Sequence, residues 1–175
     1  METNSVAFFK LQNTPDLPIK PLVAAWKVKN PQNVGSLMRL VDNLGGEELI
    51  LLDDENDKRE ASIRKTAGLS YKNVELHYKS SEQFFAEIPE GFAVCAIETS
   101  DGATNLFETR LPKRIVFLLG SEMRGLPEAL IQRCDRVVFI PMTGKCKSMN
   151  ISHALAVGLF EWQRQQLFSD TAAGK

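Results

Sequence analysis

The chain has 175 residues with 22 acidic and 21 basic side chains, and its net charge of −1 excludes a protein that holds polyanions through bulk positive charge. A hydrophobic fraction of 43% beside 25% charged residues excludes a disordered chain and suffices for one domain with a sizeable core. Three cysteines and two widely separated histidines give no disulfide framework and no metal-ligand spacing, so no metal is expected.

The opening METNSVAFFK has no basic stretch ahead of an apolar one, which predicts no signal peptide. No uncharged apolar run reaches the length of a bilayer, so a soluble, cytoplasmic protein without a membrane partner is expected. The first strand is predicted at LVAAWKV, 22–28. The stretch KNPQNVGSLMRLVDNLGG then predicts an amphipathic helix over 34–44, capped by Asn33. Its apolar stripe runs through Val34, Leu37, Met38, Leu40, Val41 and Leu44, while Gly35, Ser36, Arg39 and Asp42 fall on the other side. A strand at 48–53 follows, then a helix at 58–67 with the basic residues Lys58, Arg59, Arg64 and Lys65, and a strand at 74–78. A helix at 81–88 leads into FAVCAIET, 92–99, where Cys95 reads as a small core hydrophobe. RIVFLLG at 114–120, a helix at 127–133, RVVFIPM at 136–142 and a long helix at 149–168 complete the chain.

Such alternation predicts an α/β fold: a mainly parallel six-stranded sheet with helices on both faces. Strands as uniformly apolar as IVFLLG are expected where both faces are buried. One domain over 1–175 is predicted, with an ordered core of about 20–168.

In open α/β sheets ligands bind beyond the carboxyl ends of the strands. Four segments fall there: NPQNVG, ETSDG, GSEMRGLP and PMTGKCKSMN. None supplies the G-x-G-x-x-G turn of a dinucleotide site, which disfavours a nucleotide-dependent oxidoreductase. Gly120 and Gly125 on their own fit an ordinary turn before a Pro-opened helix, and Ser148 or Asn150 an ordinary helix cap. The paired Ser148 and Asn150, and the basic loop ahead of them, go beyond a cap.

Asn33-x-Gly35-x-x-x-Arg39, Gly120-x-Glu122-x-x-Gly125-Leu126, and Ile140-Pro141-Met142 with Ser148-Met149-Asn150 together resemble the three motifs of the SpoU (TrmH-type) branch of the SPOUT methyltransferases. The likeness covers residues 20–168, with the motifs in order and at fitting distances, and set against the family's rRNA-modifying members no separate RNA-binding domain is expected. It implies methyl transfer from S-adenosylmethionine to a ribose 2′-hydroxyl of tRNA or rRNA, tRNA favoured, leaving S-adenosylhomocysteine. It also implies a C-terminal deep trefoil knot, a homodimer, and no metal. The family's cofactor-binding loops map onto Ile97 and Thr99, Gly120, Ile140 and Met142, and Met149 and Asn150.

The same likeness makes Arg39 the catalytic arginine, with Asn33 and Glu122 orienting it or holding the ribose. Ser148 and Asn150 complete the site beside the partner subunit's arginine, and Lys145, Lys147 and Arg124 are placed to meet phosphate. Met149 replaces the family's more usual leucine, and His153 stands where a small or apolar residue is usual. The alternative within the family is a member that binds cofactor or RNA with little turnover.

Overall fold

A computed structural model describes residues 8–9, 11–12, 17–53 and 60–168; Lys58 and Arg59 of the expected basic run lie outside the described residues. Seven strands form one sheet: β1 (Leu22–Trp26), β2 (Glu48–Leu52), β3 (Glu75–Lys79), β4 (Ala93–Ile97), β5 (Thr104–Asn105), β6 (Ile115–Leu119) and β7 (Arg136–Phe139). Their spatial order is β3-β2-β1-β6-β4-β7-β5, and every pairing is parallel. Register at the centre sets Ala24 against Leu118 and Ala96 against Leu118.

Alternate residues of each strand feed two separate cores. Val23, Leu49, Cys95 and Phe117 face one side, where α1 (Pro31–Asn43), α2 (Glu60–Ala67), α3 (Ser70–Asn73) and α6 (Ile151–Phe168) lie. Ala24, Ile50, Val94 and Val116 face the other, covered by α4 (Ser81–Ala86) and α5 (Glu128–Ile131). Covering both faces is why the central strands carry no polar alternation; all five residues of β6 are buried.

The six-stranded expectation misses β5. This strand is only Thr104 and Asn105, aligned with Val138 and Phe139 of β7, and has no apolar run to announce it. The short helix α3 was likewise unexpected. The first helix begins earlier than predicted: Asn30, not Asn33, is its N-cap, its side chain accepting from Gln32 N–H at 2.9 Å, with Pro31 at the first helical position. Asn33 therefore sits inside the first turn with a buried side chain. Gly35 is not on a solvated face either. A Cβ there would lie 2.7 Å from Ile63 O and from Thr66 Cβ, so its missing side chain lets α2 close onto α1. The final helix starts at Ile151, two residues later than expected.

From β1 the chain runs outward through β2 to β3, and then crosses to fill the other side, with β6 lodged beside β1. That reversal opens a crevice at the carboxyl ends of β1, β6 and β4.

Candidate functional site

Three segments far apart in sequence are joined by hydrogen bonds at this crevice. The Glu122 carboxylate accepts from Asn33 Nδ2 at 2.8 Å, from the Asn30 N–H at 3.1 Å and from the Lys29 N–H at 3.1 Å. Asn33 Oδ1 in turn accepts from Asn150 Nδ2 at 3.1 Å. Asn150 Oδ1 accepts from the N–H and hydroxyl of Ser152, at 2.9 and 2.7 Å, and so caps α6. One chain of polar contacts thus ties the start of α1, the turn after β6 and the start of α6 into a fixed arrangement.

Burial works to raise the Glu122 pKa, but the bonds from Asn33 and from the backbone outweigh it and hold the carboxyl below its ordinary 4.5. A carboxyl with a depressed folded pKa adds stability that is full above its unfolded pKa and is lost as pH falls through the folded value. Urea midpoints of the wild type and of Glu122→Gln are therefore expected to differ by a constant amount from neutral pH down to about 5, and to converge below 4.5. A gap that stays the same to pH 3 would show that the charge of Glu122 contributes nothing.

Beside this hub lies a cleft of about 210 Å³, lined by Ile97, Thr99, Gly120, Glu122, Ser148 and Met149 among others. It continues into a hollow of about 90 Å³ that adds Phe139, Ile140 and Met142. The wall between β4 and β6 is drawn tight by backbone. A Cβ at Gly120 would stand 2.2 Å from Gly125 C and 2.4 Å from Leu126 N, and Gly125 itself has φ +64°. Glu98 locks this wall: its carboxylate accepts from Leu126 N–H at 2.7 Å and from Thr99 N–H at 2.9 Å. Sequence reading passed over Glu98. Its one signal was an acidic residue directly after the buried run AVCAI.

The predicted site residues fall into three groups. Asn33, Glu122 and Asn150 form the hub, whereas Ile97, Thr99, Gly120, Ile140, Met142, Ser148 and Met149 line the cleft and its hollow. Arg39 joins neither group. It is exposed, and among the described residues it has no hydrogen-bond or ion-pair partner. Six positions beyond Asn33 on α1, it projects about 120° away round the helix axis. Within one chain, then, neither Asn33 nor Glu122 contacts it. Lys145, Lys147 and Arg124 are exposed, with Lys147 Nζ donating to Met142 O. His153 is exposed on α6. Among the described residues no group of three or more His, Cys, Asp or Glu side chains is arranged to hold a metal, and no helix is long and apolar enough to cross a membrane.

The cysteines differ sharply. Burial pushes the Cys95 and Cys134 thiols up to about 12, while the Ser148 hydroxyl and backbone beside exposed Cys146 pull it below the ordinary range. Iodoacetamide at pH 7.5 is expected to alkylate Cys146 first, because the thiolate is the reacting form. Peptide masses finding Cys95 or Cys134 modified first in the folded protein would contradict this packing.

The model of the SpoU rRNA Methylase family matches residues 20–160, which takes in all three linked segments and every cleft residue named above. The chain belongs to the SpoU rRNA Methylase family. Within it, the chain is 30% identical over 142 residues to the 23S rRNA (guanosine-2'-O-)-methyltransferase RlmB of Pasteurella multocida, covering 80% of this chain and 58% of that protein. It thus spans a little over half the length of the curated RlmB relatives. A solved structure that gives insights into the 2-OH methylation of C/U34 on tRNA matches with a TM-score of 0.76 and 30% identity, over 86% of this chain and 98% of that one. An AdoMet-bound rRNA methyltransferase from Sinorhizobium meliloti matches with a TM-score of 0.74 and 27% identity, over 83% of this chain and 56% of that one. The parallel α/β architecture expected from the alternation of strands and helices holds, as does the SpoU resemblance of the motifs.

Proposed function

We propose that the chain transfers a methyl group from S-adenosylmethionine to a ribose 2′-hydroxyl of RNA, preferring tRNA to rRNA, as a cytoplasmic homodimer. The observation that carries this reading is the Glu122–Asn33–Asn150 chain, which joins the three family motifs beside one cleft. The cleft fits S-adenosylmethionine: apolar Ile97, Ile140 and Met149 suit an adenine, and Gly120 leaves backbone bare for close approach. Thr99, Met142 and Asn150 lie beside them on the three loops. Once bound, the cofactor supplies an electrophilic methyl carbon on a sulfonium centre. The trefoil knot rests on the family likeness.

The attacking 2′-oxygen must lose a proton, and a guanidinium does not deprotonate in proteins. Arg39 therefore grips the RNA phosphate, orients the hydroxyl and stabilises the developing negative charge, with the proton leaving through that phosphate. Glu122 is unsuited to be the base, since its oxygens already accept three N–H bonds; it is a positioning residue, as is Asn33. Ser148 reaches the ribose from the cleft side. The homodimer reading draws support from Arg39 lying free of its own chain's cleft and from Phe160 of α6 being 47% exposed, so that a second copy brings its Arg39 to this cleft.

Two measurements test the reading. Calorimetry is expected to give binding heat with S-adenosylhomocysteine and none with NAD; the reverse would revive the oxidoreductase. Labelled methyl transfer to RNA from cells lacking the protein is expected in the tRNA fraction, with nucleotide 34 the first position to map. Label confined to rRNA would overturn the tRNA preference.

A further inference from the structure

We propose that Met123 packs against the base of the target nucleotide, so that the site favours a nucleotide whose base is present over one that lacks it; the inference rests on the methyltransferase reading above.

Met123 stands at the tip of a turn that cannot swing. Ser121 and Gly125 exchange backbone hydrogen bonds at 3.2 and 3.0 Å, and the Arg124 N–H donates to Ser121 Oγ at 3.3 Å. On its inner side Glu122 is fastened to the start of α1. The turn therefore holds Met123 outward, 83% exposed, on the same cleft as Met149. A large apolar side chain held in water beside a cleft by a braced backbone turn marks a surface that is covered when a ligand arrives.

Charge identifies the ligand. Lys147 lines the cleft, and Lys29, Arg124 and Lys145 are exposed on the segments that carry its lining or bond to Glu122, while the carboxylates of Glu98 and Glu122 accept from N–H donors. Net positive charge around an apolar tip suits a partner that carries anionic groups and a flat apolar face, as a nucleotide within RNA does. The adenine of the cofactor already has Ile140 and Met149 at the inner end of the cleft, and Met123 lies at the end next to Glu122. A thioether is unbranched and polarisable, and it favours contact with aromatic rings without reading their hydrogen-bonding edges. Met123 thus rewards ring area, so purine and pyrimidine targets are both accepted and a missing base is penalised.

The experiment is a cycle of Met123→Ser and Met123→Leu against intact tRNA and the same tRNA made abasic at the nucleotide the wild type methylates. Met123→Ser is expected to raise KM for intact RNA about five- to tenfold with kcat and S-adenosylhomocysteine affinity unchanged, while Met123→Leu stays close to wild type. On abasic RNA the wild type and Met123→Ser should be alike, because the contact is already gone. Equal KM values on intact RNA, a parallel loss of S-adenosylhomocysteine binding, or an undiminished Ser effect on abasic RNA would each overturn the proposal. A wild type that binds S-adenosylhomocysteine yet methylates no RNA would instead remove the underlying reading and this inference with it.

Discussion

Gly120→Ala is expected to abolish S-adenosylhomocysteine binding and to cost about 3 kcal/mol of stability, at the upper end of overpacking penalties. The added methyl would stand 2.2 Å from Gly125 C, a backbone atom with no rotamer through which to yield. Gly125 is pinned in turn by its exchange with Ser121, and Leu126 by its N–H bond to Glu98. Relief would require opening the turn that carries Glu122, so the damage would spread to the hub. Gly144→Ala is the control: a Cβ there meets nothing within 4 Å, and the expected change is within about 0.5 kcal/mol. Urea midpoints with calorimetry on both variants decide this, and a Gly120→Ala protein that binds normally would mean the cleft wall is not as close as described.

Replacing Arg39 should give the opposite pattern. Arg39→Ala is expected to lose about 10²–10³ in methyl transfer, the cost of removing one charge-stabilising donor. Stability and S-adenosylhomocysteine affinity should be untouched, since the side chain is exposed and has no partner among the described residues. Arg39→Lys should recover little, because an ammonium lacks the planar fork that holds a phosphate and a hydroxyl together. Near-normal turnover by Arg39→Lys in a single-turnover assay would remove Arg39 from the chemistry. Together the two variants separate binding of the cofactor from activation of the ribose.

The layout of the sheet was legible wherever burial writes itself into composition. IVFLL of β6 is apolar because both its faces are covered, and the alternation of such runs with helices gives the parallel architecture. Thr104 and Asn105 of β5 were not legible, being held at the sheet edge by pairing with β7 without an apolar run. Asn33 was mistaken for a cap because asparagine serves both as a cap and as a buried bridge; Pro31, at the first helical position, was the residue that could have moved the boundary. Gly35 was misplaced for a related reason, since a helical wheel registers a missing side chain as polar and not as room for a neighbouring helix.

The site was legible in parts. The resemblance to the family's motifs brought Asn33, Glu122 and Asn150 to notice, but their bonds span 89 and 117 residues, and no local period carries contacts of that range. Glu98 escaped because its work is done on the backbone N–H groups of Thr99 and Leu126, which have no sequence signature. Exposed Met123 escaped because a lone methionine in a turn looks like any other until the turn is seen to be locked.

The most direct test is the chemical position of the transferred methyl. Wild-type protein, labelled S-adenosylmethionine and tRNA from cells lacking the protein are incubated together, and the digested RNA is resolved by nucleoside mass spectrometry. The expected result is label in a single 2′-O-methylnucleoside, with the adjoining phosphodiester resistant to alkali. Label on a base, with the ribose hydroxyl still free and the bond still alkali-labile, would contradict the role given to Arg39 and the ribose-directed site.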